Sequence, residues 1–261
     1  MIKYLITTGC SFTEVPVPEI QESTQVNIDD YTKYALSWPV HLVNHLNCLP
    51  KYRGKGASGN GIISRTTIYE VIKALETYKP EEILVGIMWS GAYRQEIYLS
   101  EPRHDYYLIH RSWNEDQNTM NPATVGGEPN FYKVMPYWDD ELSKMYYKNI
   151  YDEVGSYIET IEHILRVQWF LKNHNIKYFM TTYFPEVFPK NKNHEDIKYL
   201  YDMIDFDNFL DVDSEWEWCA RYQNPKTWDD LGHDHPHPHT KQHKAFAEQV
   251  IIPHLQKKGY I

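Results

Sequence analysis

Three side chains in this sequence have the types needed to break an acyl bond: Ser11, Asp234 and His237. Asp234 and His237 stand three residues apart, just before a stretch with helical periodicity. In a turn, that spacing lets the carboxylate hold one imidazole nitrogen and fix its tautomer, so that the other nitrogen can act as a base. Such a pair needs only a hydroxyl opposite it. Ser11 follows a short apolar, β-branched run from Ile2 to Thr7 that breaks at Gly9 into small polar residues. A serine there sits at the carboxyl end of a first strand, where open α/β sheets place their ligands. The turn also offers backbone N–H groups beside the hydroxyl to hold a developing negative charge. Taken singly, each half has a plain structural reading: Ser11 as a cap, and the stretch from Gly232 to His243 as a solvated histidine-rich loop.

Other chemistries compete for the same residues. Alternate histidines on an extended segment share a face, so His233, His235, His237 and His239 with Asp234 could supply zinc ligands, but no second Cys/His/Asp cluster offers the remaining ones. Gly54, Gly56 and Gly59 spell a dinucleotide fingerprint before a helix. The segment before it, Cys48 to Arg53, is a poor apolar strand, and Trp89 and Ser90 stand where an acidic residue is wanted. Cys10 beside Ser11 suggests a thiol nucleophile, yet neighbouring side chains on a strand end project apart. Arg94 is placed to bind a substrate carboxylate at the rim of the site, against the alternative of a plain salt bridge. Trp89 is a candidate substrate-binding ring, against the alternative of packing, and the same holds for Trp216 and Trp218.

The elements that must position these groups follow from periodicity. Ser37 caps a helix with Pro39 in its first turn, running to about Asn47. Ile62 to Tyr78 has helical spacing, and Ile83 to Trp89 is a continuous apolar run typical of a buried parallel strand. From Ile97 to Asp140 the pattern is lost, which reads as an insertion or cap over the site. Glu141 to Asn173 is a long helical stretch with a break near Gly155, followed by a strand from Lys177 to Thr182. Asn193 to Ile204 reads as a helix, Phe209 to Val212 as a last strand, Glu215 to Tyr222 as a helical piece and Lys241 to Gln256 as an amphipathic helix. Strands alternating with helices call for one α/β domain over residues 1–261, with a largely parallel sheet covered on both faces. Leu5, Val85 and Phe179 should lie in adjacent central strands.

Composition bounds the partners. The formal net charge of -10 over 261 residues argues against nucleic acid, whose phosphates need a basic face. No apolar run approaches a membrane span, and no basic-then-apolar leader precedes Ile2. Cys10, Cys48 and Cys219 are odd in number and far apart, which fits a reducing compartment and not a disulfide framework. The expectation is a cytoplasmic protein, or one released without a cleaved signal.

The Gly9-Cys10-Ser11-Phe12 turn, the Gly56-Ala57-Ser58-Gly59-Asn60 stretch and the Asp234-His235-Pro236-His237-Pro238 block resemble, in type and order, the SGNH (GDSL-type) hydrolase family. The resemblance covers the two ends and the first three strands, and leaves 97–140 without a counterpart. It implies a flavodoxin-like three-layer α/β/α sandwich with a mainly parallel sheet and a long insertion after the third strand. It also implies Ser11 as nucleophile, His237 as base and Asp234 as its orienting group. The oxyanion donors would be the backbone N–H groups of Ser11 and Gly59. The family's third donor is an Asn after the third strand; here Met88, Trp89, Ser90 and Gly91 stand there, so Asn60 or Ser90 must replace it, with Asn60 favoured as an amide. The function implied is hydrolysis of a small acyl ester, such as an O-acetyl group on a carbohydrate, with no metal or organic cofactor. A non-catalytic carbohydrate-binding or structural module on the same fold, and a metal-dependent hydrolase built on the histidine cluster, are the alternatives.

Overall fold

The computed structural model describes residues 1–15, 20, 25–27, 36–98, 131–222 and 237–261. Its centre is a four-stranded parallel sheet made of β1 (Tyr4–Gly9), β2 (Leu49–Gly54), β3 (Ile83–Trp89) and β6 (Lys177–Thr182), in the order β2-β1-β3-β6. Ile6 pairs with Val85, and Gly86 with Phe179, so Leu5, Val85 and Phe179 lie on adjacent central strands as expected. Every residue of β3 is buried. A strand covered on both faces has no solvent side, which is why its sequence is a continuous apolar run and not an alternation.

One face is covered by helices α2 (Asn60–Leu75) and α4 (Glu153–Asn173), which pack on each other, α2 on β1 and β3 and α4 on β6. The other is covered by α1 (Trp38–Leu46) and the C-terminal helical segment, which begins as α7 (Thr240–Phe246), passes through a π-helical turn at Ala247–Ile251 and continues as α8 (Ile252–Lys257). Together these make the flavodoxin-like three-layer α/β/α sandwich. Trp38 and Phe179 meet edge to face, ring centroids 5.7 Å apart, directly over Gly86. A Cβ at Gly86 would stand 2.7 Å from Phe179 Cζ and 3.0 Å from Trp38 Cη2, so the glycine is what lets the two rings close on the sheet.

Several expectations shift in detail. Cys48 to Arg53, read as a poor strand, holds all but the last residue of the edge strand β2. Its exposed side is polar because Lys51 and Arg53 face Glu70 of α2, Arg53 Nε donating to Glu70 Oε1 at 2.6 Å. The stretch from Glu141 divides earlier than Gly155, into α3 (Glu141–Asn149) and α4. Each helix has its own N-cap carboxylate: Asp140 accepts from Ser143 N and Asp152 from Gly155 N, both at 2.8 Å. Phe209 contributes only a single parallel bridge to Met180 in place of a full last strand. The 97–140 region is entered by an antiparallel pair, β4 (Gln95–Tyr98) and β5 (Phe131–Val134), whose core is Tyr132, Val134 and Leu142. Residues 99–130 of that region lie outside the described residues.

Candidate active site

Ser11 follows the end of β1, in a turn closed by Thr13 N donating to Cys10 O at 3.0 Å and Glu14 N to Ser11 O at 3.3 Å. The C-terminal segment approaches this turn from the other end of the sequence. His237, in the loop before α7, puts its Nε2 2.7 Å from Ser11 Oγ. Both residues are half-buried. The imidazole leans on Phe12, ring centroids 4.8 Å apart, so the Ser11 turn supplies both the hydroxyl and a wall that orients the ring. That geometry is a nucleophile within hydrogen-bond reach of a base. Asp234, His233 and His235 lie outside the described residues, so the acid of the expected triad and the full histidine cluster have no geometry here. His239 is an N-terminal group of α7, its backbone N–H donating to Gln242 Oε1 at 2.8 Å. Cys10 is fully buried and burial pushes its thiol pKa up, the opposite of an activated thiolate.

The expected oxyanion donors need correcting. Asn60 does not face the site. Its Nδ2 donates to Ser90 O at 2.9 Å and to Thr160 Oγ1 at 3.1 Å, and its Oδ1 accepts from Ser90 N at 2.8 Å. With 2 % exposure, it is a two-way amide clamp on the end of β3, as a buried primary amide must be if it is not to lose its hydrogen bonds. Ser90 is fully buried and its hydroxyl accepts from Arg94 Nη1 at 3.0 Å. Gly59 caps α2, and the backbone N–H groups at this helix start favour the charged form of the neighbouring Glu96 carboxyl. An added Cβ at Gly59 would overlap Arg94 O and Glu96 Oε1, so the glycine makes room for that carboxylate and not for a ligand. Trp89 is likewise no substrate platform: it is the last residue of a strand buried on both faces and is wholly inside the core. Trp216 stacks on Phe184 at 4.7 Å and Trp218 packs edge-on against Phe246, so both are packing residues.

Charged groups not visible in the sequence surround the turn. Glu14 accepts from Gly56 N at 2.6 Å and pairs with Lys55 at 3.1 Å, which draws the glycine loop towards Ser11. Lys133 of β5 reaches back to donate to Gly56 O at 2.6 Å, and burial lowers its pKa to about 8. Burial also raises the Glu96 carboxyl, against the nearby Arg65, whose Nη2 is 3.5 Å away. Glu96 and Lys133 sit at the mouth of an aperiodic stretch, where no residue spacing marks a buried charge. Arg94, singled out from the sequence, runs from Ser90 across the ring of Tyr183, its guanidinium carbon 4.6 Å from the ring centroid.

The sequence profile of a family of unknown function, DUF6071, matches residues 19–261. The chain belongs to the DUF6071 family. No curated protein matches it. Among solved structures, this DUF6071 chain is similar to the crystal structure of the protein YXIM from Bacillus subtilis, with a TM-score of 0.50 and 13% identity. The match covers 99% of this chain and 57% of that one, so the chain spans little more than half the length of its structural neighbour. At that identity the likeness is one of fold. Among the described residues, no helix is long and apolar enough to cross a membrane.

Proposed function

We propose that this DUF6071 protein is a serine hydrolase of the SGNH type that cleaves a small acyl ester. The observation that carries the reading is the 2.7 Å contact between Ser11 Oγ and His237 Nε2 at the carboxyl end of the central strands. Ser11 Oγ attacks the ester carbonyl carbon while His237 Nε2 takes the hydroxyl proton. The tetrahedral oxyanion collapses, the C–O bond to the alcohol breaks, and His237 returns the proton to the departing oxygen. Water then attacks the acyl-enzyme with His237 again as base, releasing the acid and restoring the serine. Asp234 is assigned to orient His237 by the motif alone. The Ser11 backbone N–H is the oxyanion donor left by the reassignment of Gly59 and Asn60. An O-acetylated carbohydrate is a substrate of this class.

That same reassignment favours a second reading, a binding module that keeps the fold without turnover, because losing an oxyanion donor costs about 10²–10³ in rate. Hydrolysis of p-nitrophenyl acetate by the purified protein, with Ser11→Ala as control, separates the two. Release of nitrophenol that disappears in Ser11→Ala supports the hydrolase; equal background rates in both support the binding module.

A further inference from the structure

Four cationic side chains and two carboxylates link the Gly56 loop, the start of α2 and the β4–β5 pair. Lys55 is matched by Glu14, and Arg65 by Glu96. Arg94 and Lys133 remain. Among the described residues neither makes an ion pair: Arg94 bonds a neutral hydroxyl on Ser90, and Lys133 a carbonyl on Gly56. Lys133 stands near Glu14 and Glu96 and feels both charges without bonding either. Burial works against the charge on Arg94, yet its pKa is raised, and the groups around it that do this are Cys10, Tyr183, Tyr93 and Tyr137, none a carboxylate. A protein of net charge -10 has thus placed near its candidate nucleophile two cations that have no carboxylate partner among the described residues.

Arg94 is also tied to the reacting groups. Tyr183, under its guanidinium, packs edge-on against Phe12 with centroids 5.4 Å apart, and Phe12 carries the His237 ring. Tyr93 OH bonds Tyr183 OH at 2.7 Å and fixes that ring. Tyr137, 64 % exposed, lies near enough for the Arg94 charge to act on its hydroxyl, so the guanidinium runs from the buried Ser90 hydroxyl towards an exposed ring. A developing oxyanion would use one cation at most; two point to a charge that the substrate carries throughout.

Resting on the hydrolase reading above, we infer that the substrate is an anionic ester bearing a carboxylate near its scissile carbonyl, and that Arg94 is the residue that binds this carboxylate. A planar guanidinium takes a carboxylate through two parallel N–H bonds, which a lysine in its place could not reproduce.

Two matched ester pairs test the inference: mono-p-nitrophenyl glutarate against p-nitrophenyl valerate places the charge in the acyl part, and 3-acetoxybenzoate against phenyl acetate places it in the alcohol part. The wild-type protein should favour the anionic member of at least one pair by about 10- to 100-fold in kcat/KM, the range of a hydrogen bond to a charged group. In Arg94→Gln that ratio should collapse towards unity, with Arg94→Lys in between; the reading is the ratio and not the absolute rate. No preference in either pair overturns the inference from wild-type data alone, even if the Gln variant does not fold. Equal losses on both members of a pair also overturn it, since Arg94 would then serve the oxyanion common to both. If wild type hydrolyses none of the four esters, the hydrolase reading falls separately, and calorimetry with glutarate decides the anion site. Binding that is lost in Arg94→Gln sustains the site, and absence of binding ends it.

Discussion

His237 and His243 stand six positions apart in one segment, and each makes a 2.7 Å side-chain bond. Their surroundings divide their roles. His237 is half-buried beside a half-buried hydroxyl, where a substrate can reach both. His243, on α7, meets Glu215, the first residue of α6 (Glu215–Tyr222), with 3% and 0% of their side chains exposed. Burial drives the His243 pKa down to about 3 and the Glu215 carboxyl well up, so both neutral forms are favoured, joined by one hydrogen bond between Nδ1 and Oε1. An imidazole–carboxyl pair is therefore not by itself a catalytic unit. The sealed pair ties α6 to α7.

The largest effects should fall on the open pair. Ser11→Ala and His237→Ala are each expected to lower ester hydrolysis by about 10⁴-fold or more, because nucleophile and base act as one unit. The double variant should be no worse than either single one, and rates with p-nitrophenyl acetate measure this. Urea midpoints of the two variants should move little, as both residues reach solvent.

The sealed pair should respond the other way. His243→Ala leaves the Glu215 carboxyl buried without its partner and opens a cavity, at a cost of about 3 kcal/mol. Folded His243→Ala protein should keep ester rates within about threefold of wild type if the pair serves only to hold the fold together. A loss as large as that of His237→Ala would mean that the two histidines cannot be divided as drawn.

Asn60 sharpens the contrast between a donor type and a donor's direction. Asn60→Ala removes the clamp on Ser90 and leaves its backbone N–H and C=O without those partners, for an expected loss of about 2 kcal/mol in a denaturant titration. An oxyanion donor would instead show a lowered kcat with unchanged stability.

How far these roles were legible in the sequence depends on what each residue answers to. β1, β3 and β6 are read from their residues because strands buried on both faces favour apolar and β-branched side chains, with buried threonines such as Thr8 and Thr182 hydrogen-bonded. Ser11 and His237 could be paired from opposite ends because the motif joins a strand end to a helix start, and the parallel sheet brings both to one edge. β2 was obscured because an edge strand may be polar where α2 answers it with Glu70. Asn60 was misassigned because a sequence gives the amide but not the direction in which it points. Lys133 and Glu96 gave no signal, since a buried charge in an aperiodic stretch resembles a solvated one until its neighbours are known.

The smallest effect tests burial itself. His41 and His163 are, like His243, held below the ordinary imidazole range, each at about 4, chiefly by burial. His41 Nε2 lies 3.3 Å from Leu36 O, and the positive side chains of Arg166 and Arg65 add to the effect at His163. Unfolding returns each ring to its ordinary value near 6.5, so between about pH 6.5 and 4 the unfolded chain binds more protons than the folded one. Unfolding free energy must then fall as the pH falls through that window, by up to about 1.4 kcal/mol per pH unit for each ring. Above pH 6.5 these rings contribute no slope. Replacing His41 by Gln should remove its share of the acid slope while leaving the slope above pH 6.5 as it was, which urea titrations at pH 5, 6, 7 and 8 would resolve. An unchanged slope between pH 5 and 6 in His41→Gln would mean that the ring already carries its proton in the folded protein, and that its burial does not seal it from water.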